Sequence, residues 1–257
     1  MLERAGLSGL RPRLMAAAVA LAVLLSLASC AGPRFGLPYP SERAGLAFTD
    51  SMPPRVFLEQ VQDLRPKEQR EGQGAFFKLT FPGDDNWERP VGQIYREALS
   101  QDLAQTRVVE LVPLPRQAAY TLSVELFSFG CRLARSPAAF LMPLGGGMMA
   151  GLTLGEDSSD KIKLGAVLGL ALTMAMPMPS AHRAECEVRL TLRDSAGAVV
   201  WQQACLGEVD GRVYIPATAR DDRKLAQKHL PRAVKRCNAC LLGQLRDFLS
   251  RQEAAAP

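Results

Sequence analysis

Two uncharged runs interrupt the middle of this chain, and any fold must accommodate them. "SPAAFLMPLGGGMMAGLTLG" covers twenty residues from Ser136 to Gly155, and a second run extends from Leu164 to Ala181. Only "EDSSDKIK", Glu156 to Lys163, separates them. Each run is close to the ~20 residues that cross a bilayer as a helix. Neither alternates, and both are rich in Gly, Ala, Leu and Met with few β-branched residues, which speaks against membrane β-strands. The pattern predicts a helical hairpin over Ser136–Ala181 with the charged segment at its tip. Gly145, Gly146, Gly147 and Gly151 would let its helices approach closely, and Pro143, Pro177 and Pro179 would kink or end them. Two placements stay open: buried core, against this domain or a second copy, or an apolar surface presented to a membrane or a membrane protein. A double span would drag Glu156, Asp157, Asp160, Lys161 and Lys163 through hydrocarbon. Insertion into one leaflet, or docking on an integral membrane partner, is the expected form of membrane contact.

The N-terminus points to the same compartment. Arg4, Arg11 and Arg13 precede the apolar stretch "LMAAAVALAVLLSLAS", which is too short and small-residued for a stable anchor. It ends at Leu27-Ala28-Ser29-Cys30, which resembles the lipobox of bacterial lipoproteins, where the cysteine is diacylglyceryl-modified before cleavage in front of it. Residues 1–29 are then a signal peptide, and removing 29 of the 257 residues leaves a mature chain of 228. Ala31 follows Cys30, which in the sorting pattern of enteric bacteria implies the outer membrane, facing the periplasm. The precursor carries +5, of which residues 1–29 hold +2 from three arginines and Glu3, so the mature chain is +3. Without a basic block, nucleic-acid binding is excluded. Residues 30–50, rich in Pro and Gly up to Phe48, read as a tether between lipid and domain.

A single α+β domain over 51–251 is expected, followed by a disordered tail at 252–257. "RVFLEQVQDLR" (Arg55–Arg65) alternates as a strand, and "AFFKLTF" (Ala75–Phe81) is a second candidate. Pro90 opens a helix on which Val91, Ile94, Tyr95, Ala98, Leu99 and Leu103 recur at helical spacing. "RVVELVPL" and "AYTLSVELFSFGCRL" are strands before the excursion. After it, "AECEVRLTLRD" places Cys186, Val188, Leu190 and Leu192 opposite Glu185, Glu187, Arg189 and Arg193, the alternation of a half-solvated antiparallel strand. Asp194–Gly197 turns it into "AVVWQQACLGEV". A last helix, about Leu230–Arg251 with Pro231 in its first turn, carries the stripe Leu230, Val234, Cys237, Leu241, Leu245 and Phe248. The result is a mainly antiparallel sheet with two helices on one face.

Five further cysteines would meet an oxidising compartment. A four-residue hairpin loop sets Cys186 opposite Cys205, allowing a cross-strand bridge, whereas a type I turn with a glycine bulge shifts the register and turns them apart. A Cys131–Cys186 bridge at the base of the excursion is the alternative. Cys237 and Cys240 have CxxC spacing but lie inside a helix, which favours core or a local disulfide over redox or metal chemistry. His182 and His229 are the only histidines, and the pairs Asp84-Asp85 and Asp221-Asp222 suit turns and helix caps. No nucleophile elbow, P-loop or zinc-protease helix is present, so neither an enzyme nor a cofactor is expected.

The folded part resembles a known family. Val108, Val109 and Val112, then Ala119, Tyr120 and Leu122, then Asp194, Gly197, Val200 and Trp201 follow the pattern of the bacterial ABC-type transport auxiliary lipoproteins. Their relatives share the fold of the curli-secretion channel subunit and of the N-terminal domain of the Tol translocation protein. The resemblance covers about half the chain, and the long excursion departs from it. It implies a non-enzymatic accessory or adaptor subunit of an envelope transport or assembly complex. A self-assembling ring or channel-like lipoprotein, and thus a homo-oligomer, is the alternative, and an enzyme with an unrecognised site is a third.

Overall fold

The alternating segments pair into one seven-stranded sheet, seen in a computed structural model of the chain. It describes residues 34–40, 53–72, 74–75, 77–138, 141–142, 145–146, 149, 153, 158–216 and 218–255. The expected signal peptide, Cys30, most of the expected tether and part of the excursion lie outside the described residues. Strands β1 (Arg55–Asp63), β2 (Gly74–Ala75), β3 (Lys78–Phe81), β4 (Glu110–Val112), β5 (Tyr120–Arg135), β6 (Met178–Asp194) and β7 (Val199–Ile215) accompany, among the described residues, four bounded helices. These are α1 (Lys67–Glu71), α2 (Val91–Thr106), α3 (Ser158–Ala175) and α4 (Ala219–Ala255).

Strand β5 organises the sheet because it is long enough to serve several partners. One edge pairs antiparallel with β6 from Tyr120↔Asp194 to Arg135↔Ser180. The other edge is divided: β1 takes the N-terminal half in parallel (Val56↔Tyr120 to Asp63↔Leu126), and β3 takes the C-terminal half antiparallel (Lys78↔Ala134 to Phe81↔Cys131). β4 lies parallel outside β1, β2 outside β3, and β7 outside β6. The sheet is thus mainly antiparallel, with β1 parallel to both neighbours.

Alternation decides which face is covered. Leu122, Val124, Leu126, Phe129, Cys186, Val188, Leu190 and Leu192 face α2 and α4 and form one core with Tyr95, Leu99, Leu103, Leu230, Val234, Cys237, Leu241 and Leu245. Helix α4 comes so close to β7 that a Cβ on Gly207 would stand 1.9 Å from the Ala233 carbonyl oxygen. Only glycine admits that approach. The opposite face is largely polar, except where α1 folds over it and buried Gln69 donates to Ser128 and Glu185, each at 2.9 Å.

Several boundaries differ from the sequence expectation. Ala75–Phe81, expected as one strand, is divided between β2 and β3, which pair with each other antiparallel, and of Arg107–Leu114 only β4 is strand. The last helix begins at Ala219, so Pro231 lies in its interior rather than its first turn, and its C-terminal end at Ala255 includes residues 252–255 of the expected tail. Thr218 caps it: the Asp221 amide donates to Thr218 Oγ1 at 3.2 Å, and acidic Asp221 and Asp222 occupy the first turn. β6 begins at Met178, so Met178–Ala181 of the second apolar run are strand, and Pro179 sits in that strand instead of ending a helix. Finally, Phe35–Pro40 are not free tether. Phe35 is buried with its ring edge-on to Trp87 at 4.6 Å, and its amide donates to the Asn86 carbonyl at 2.6 Å.

Candidate functional site

The excursion leaves β5 at Arg135 and returns into β6 at Met178. Its described residues at 137–138, 141–142, 145–146, 149 and 153 are helical, and α3 forms the returning arm. Ser158–Lys163, expected at the tip, instead form the first turns of α3, while Glu156 and Asp157 lie outside the described residues. Pro177 follows the end of α3, as a residue that cannot continue a helix should. Gly145 and Gly146 have open space around them. The glycines buried here are Gly165 and Gly169, one turn apart on α3. Gly147, Gly151 and Pro143 fall outside the described residues.

No described residue from 136 to 177 belongs to the domain core. Leu141 is 62 % exposed, Met142 79 %, Met149 65 %, Ile162 64 % and Val167 57 %. Among the described residues, no strand or helix packs extensively against α3. These side chains therefore form an apolar surface rather than core. Among the described residues, no helix is long and apolar enough to cross a membrane.

Buried polar groups hold the base of this surface. Arg135 forms an ion pair with Asp222 in the first turn of α4, both nearly inaccessible. Burial raises the Asp222 carboxyl above its ordinary range, with the Arg135 guanidinium acting in the opposite direction. Nearby, His182 on β6 and His229 on α4 lie with ring centroids 4.3 Å apart. Burial lowers both imidazoles, and His229, further disfavoured by His182, Lys228 and Arg232, falls to about 4. Both rings are held neutral near pH 7.

A second buried network pins the start of the domain. Asp102 on α2 is fully inaccessible and accepts from Lys235, from the Tyr39 hydroxyl and, at 2.8 Å, from the Asn238 side-chain amide. Tyr95 donates to Asn238 Oδ1 at 2.7 Å, and Lys235 also reaches the Pro40 carbonyl at 3.3 Å. Burial and the neighbouring Asp102 carboxylate raise the Tyr39 hydroxyl, keeping it a donor. The motif was invisible in sequence because its members come from three distant segments.

The cysteines pair differently from every expected arrangement. Cys205 on β7 is bonded to Cys240 on α4, while Cys131, Cys186 and Cys237 are buried free thiols. The hairpin explains the absent cross-strand bridge. Its turn closes with Gly197 at φ 81° and with Asp194 and Ala198 bonded, the type I turn with a glycine bulge. A further register shift follows at Val200, between Leu192↔Trp201 and Arg193↔Val199. Cys186 is left opposite Gly207, and Cys205 opposite Val188. Cys131 pairs in register with Ala184, not Cys186. Helical spacing separates the CxxC pair: Cys237 enters the core, and Cys240 lies one turn on, against β7.

Among the described residues, no three His, Cys, Asp or Glu side chains gather as a metal site. Asp84 accepts from Arg65 at 2.6 Å within a short 3-10 turn, and Asp221 in the first turn of α4 accepts from the capping Thr218 hydroxyl at 2.6 Å, so the paired carboxylates act in a turn and at a helix start.

No described protein family matches the sequence, and no curated protein is similar to it. Several solved structures align with the chain at low similarity. A Xanthomonas campestris protein of family DUF330 aligns over 87 % of this chain and 95 % of its own, at 10 % identity and a TM-score of 0.41. The lipoprotein GNA1162 of Neisseria meningitidis aligns over 79 % of this chain and all of its own, at 8 % identity and a TM-score of 0.28. The PelC dodecamer of Paraburkholderia phytofirmans covers 78 % of this chain and 92 % of its own, at 13 % identity and a TM-score of 0.29. Likeness of this degree assigns neither a family nor an activity to the chain.

Proposed function

We propose that this chain is a lipid-anchored accessory lipoprotein of a bacterial envelope, held at Cys30, that works by docking on a transport or assembly complex rather than by catalysis. The observation that carries this reading is the exposed apolar excursion, a surface outside the core on a domain whose chain begins with a lipobox. Exposed apolar surface of this kind is retained where something covers it. The resemblance to the transport auxiliary lipoproteins supports the accessory role, and Ala31 supports the outer membrane. The buried Arg135–Asp222 ion pair at the excursion's base ties β5 to α4, which suits a rigid mount for a contact surface.

The test is affinity purification of the tagged mature protein from native membranes in mild detergent, beside a variant lacking residues 137–176. The deletion spares β6, which the excursion expected from sequence would have cut. An integral membrane complex that accompanies the whole protein and vanishes with the deletion is the expected result. Recovery of the protein alone, as the same defined oligomer in both samples, would overturn the adaptor reading in favour of a self-assembling component.

A further inference from the structure

We infer that Cys186 and Cys237 close a second disulfide when the chain folds in an oxidising compartment, tying α4 to β6 beside the Cys205–Cys240 bond that ties α4 to β7. Only the envelope compartment is taken from the reading above. The pairing itself rests on how α4 packs against the sheet.

Strand register brings the two sulfurs together. Cys186 lies opposite Gly207 on the sheet face that α4 covers, so both positions point towards that helix. Gly207 has no side chain, and α4 takes the room. A Cβ there would stand 2.5 Å from the Cys237 amide nitrogen and 2.9 Å from the Cys237 Cβ. Directly opposed side chains start about 5 Å apart across a sheet. Cys237 therefore occupies the place of a cross-strand neighbour of Cys186, and the two side chains are in hydrogen-bonding contact. Both are fully buried. Cys237 Sγ also donates to the Cys205 carbonyl at 3.2 Å, which sets it directly beside the existing bridge. Cys131 lies elsewhere, opposite Phe81 and Ala184.

The chemistry is dithiol–disulfide exchange. Cys186 and Cys237 each give up one hydrogen, and their two electrons and two protons pass to the disulfide of an exchange partner, which leaves as a dithiol. Attack needs an accessible thiolate. In the finished fold, burial raises the Cys186 thiol well above its ordinary value, and neither sulfur meets solvent. The exchange therefore takes place during folding, before α4 closes over β6. Two adjoining turns of α4 are then fixed to the two strands beneath them, at Cys237 and at Cys240. The first turn of the same helix holds Arg135 through Asp222, so the two bridges brace the mount on which the excursion stands.

The test maps the cysteines of protein exported to the envelope and purified without reductant. The sample is quenched in acid, unfolded with a maleimide that caps free thiols, and digested with trypsin. Cys186 falls in the peptide 184–189, Cys205 in 194–212, and Cys237 and Cys240 together in 237–246. The expected result is one assembly of these three peptides, with a capped Cys131 and an intact mass two hydrogens per bridge below that of the reduced chain. Fragmentation between Cys237 and Cys240 should assign 184–189 to the first and 194–212 to the second. Replacing the first bridge with Cys205→Ser and Cys240→Ser should leave 184–189 still joined to 237–246. A capped Cys186 beside an intact Cys205–Cys240 bond overturns the inference and leaves the compartment standing. The crossed assignment, Cys186 to Cys240 and Cys205 to Cys237, overturns the pairing in the same way. Capping of Cys205 and Cys240 as well strikes the envelope reading too, so the two failures are distinguishable.

Discussion

Replacing Asp102 with alanine should unlatch the start of the domain at a large cost in stability. Asp102 is fully buried, and the Lys235 side chain that pairs with it is only 16 % exposed. Removing one partner of a buried pair costs roughly 3–5 kcal/mol, because the other charge is left uncompensated. Partial exposure of Lys235 favours the lower end, near 3 kcal/mol, although Tyr39 and Asn238 each lose an acceptor as well. For a domain of about 200 residues that lowers the melting temperature by roughly 6–12 °C. Asp102→Leu combined with Lys235→Met should recover most of the loss, since an apolar pair leaves no charge stranded. Denaturant titration gives the energies, and limited proteolysis near Tyr39 reports release of the docked segment. A single-variant loss under about 1 kcal/mol, or a double variant no better than the single, would refute this account of the network.

Other perturbations separate the remaining contacts. Gly207→Ala must push α4 back by more than 1 Å to relieve the 1.9 Å approach to Ala233, and should destabilise by about 3 kcal/mol or more in denaturant titration. Cys205→Ala removes a link across 35 residues and should cost about 3–4 kcal/mol, while a non-reducing peptide map of the parent protein should show Cys205 joined to Cys240. His182 and His229 are lowered in the fold, so their contribution is complete above about pH 6.5 and is lost as pH falls towards about 4. Solvent at the partly exposed His229 limits the loss to about 1–2 kcal/mol. Asp210 and Asp222 oppose it in part, and Lys228 and Arg232 add to it. His229→Leu should flatten stability between pH 6.5 and 4, measured by urea midpoints, and an unchanged slope would contradict the assignment.

The positions of β1, β5, β6 and β7, α2 and the hairpin turn were legible because alternation, a proline at a helix start and an Asp–Gly turn are local signals. Pro231 misled the start of α4, although Leu225 and Ala226 continue its buried stripe upstream and Thr218 with Asp221 form a cap. What could not be read depended on distant register. The parallel pairing of β1, the Val200 shift and the Cys205–Cys240 bond each follow from how whole elements lie together. Phe35–Pro40 has tether composition, yet its two aromatic side chains dock, and composition does not separate an aromatic that finds a pocket from one that does not.

The compartment and the anchored accessory role both depend on Cys30, so the most direct measurement is the intact mass of the protein extracted from native membranes, with its N-terminal peptide sequenced. A chain of 228 residues beginning at Cys30, with a diacylglyceryl thioether on its sulfur, is the predicted result. A mature chain beginning elsewhere, or one with a free Cys30 thiol, would contradict the account at its foundation.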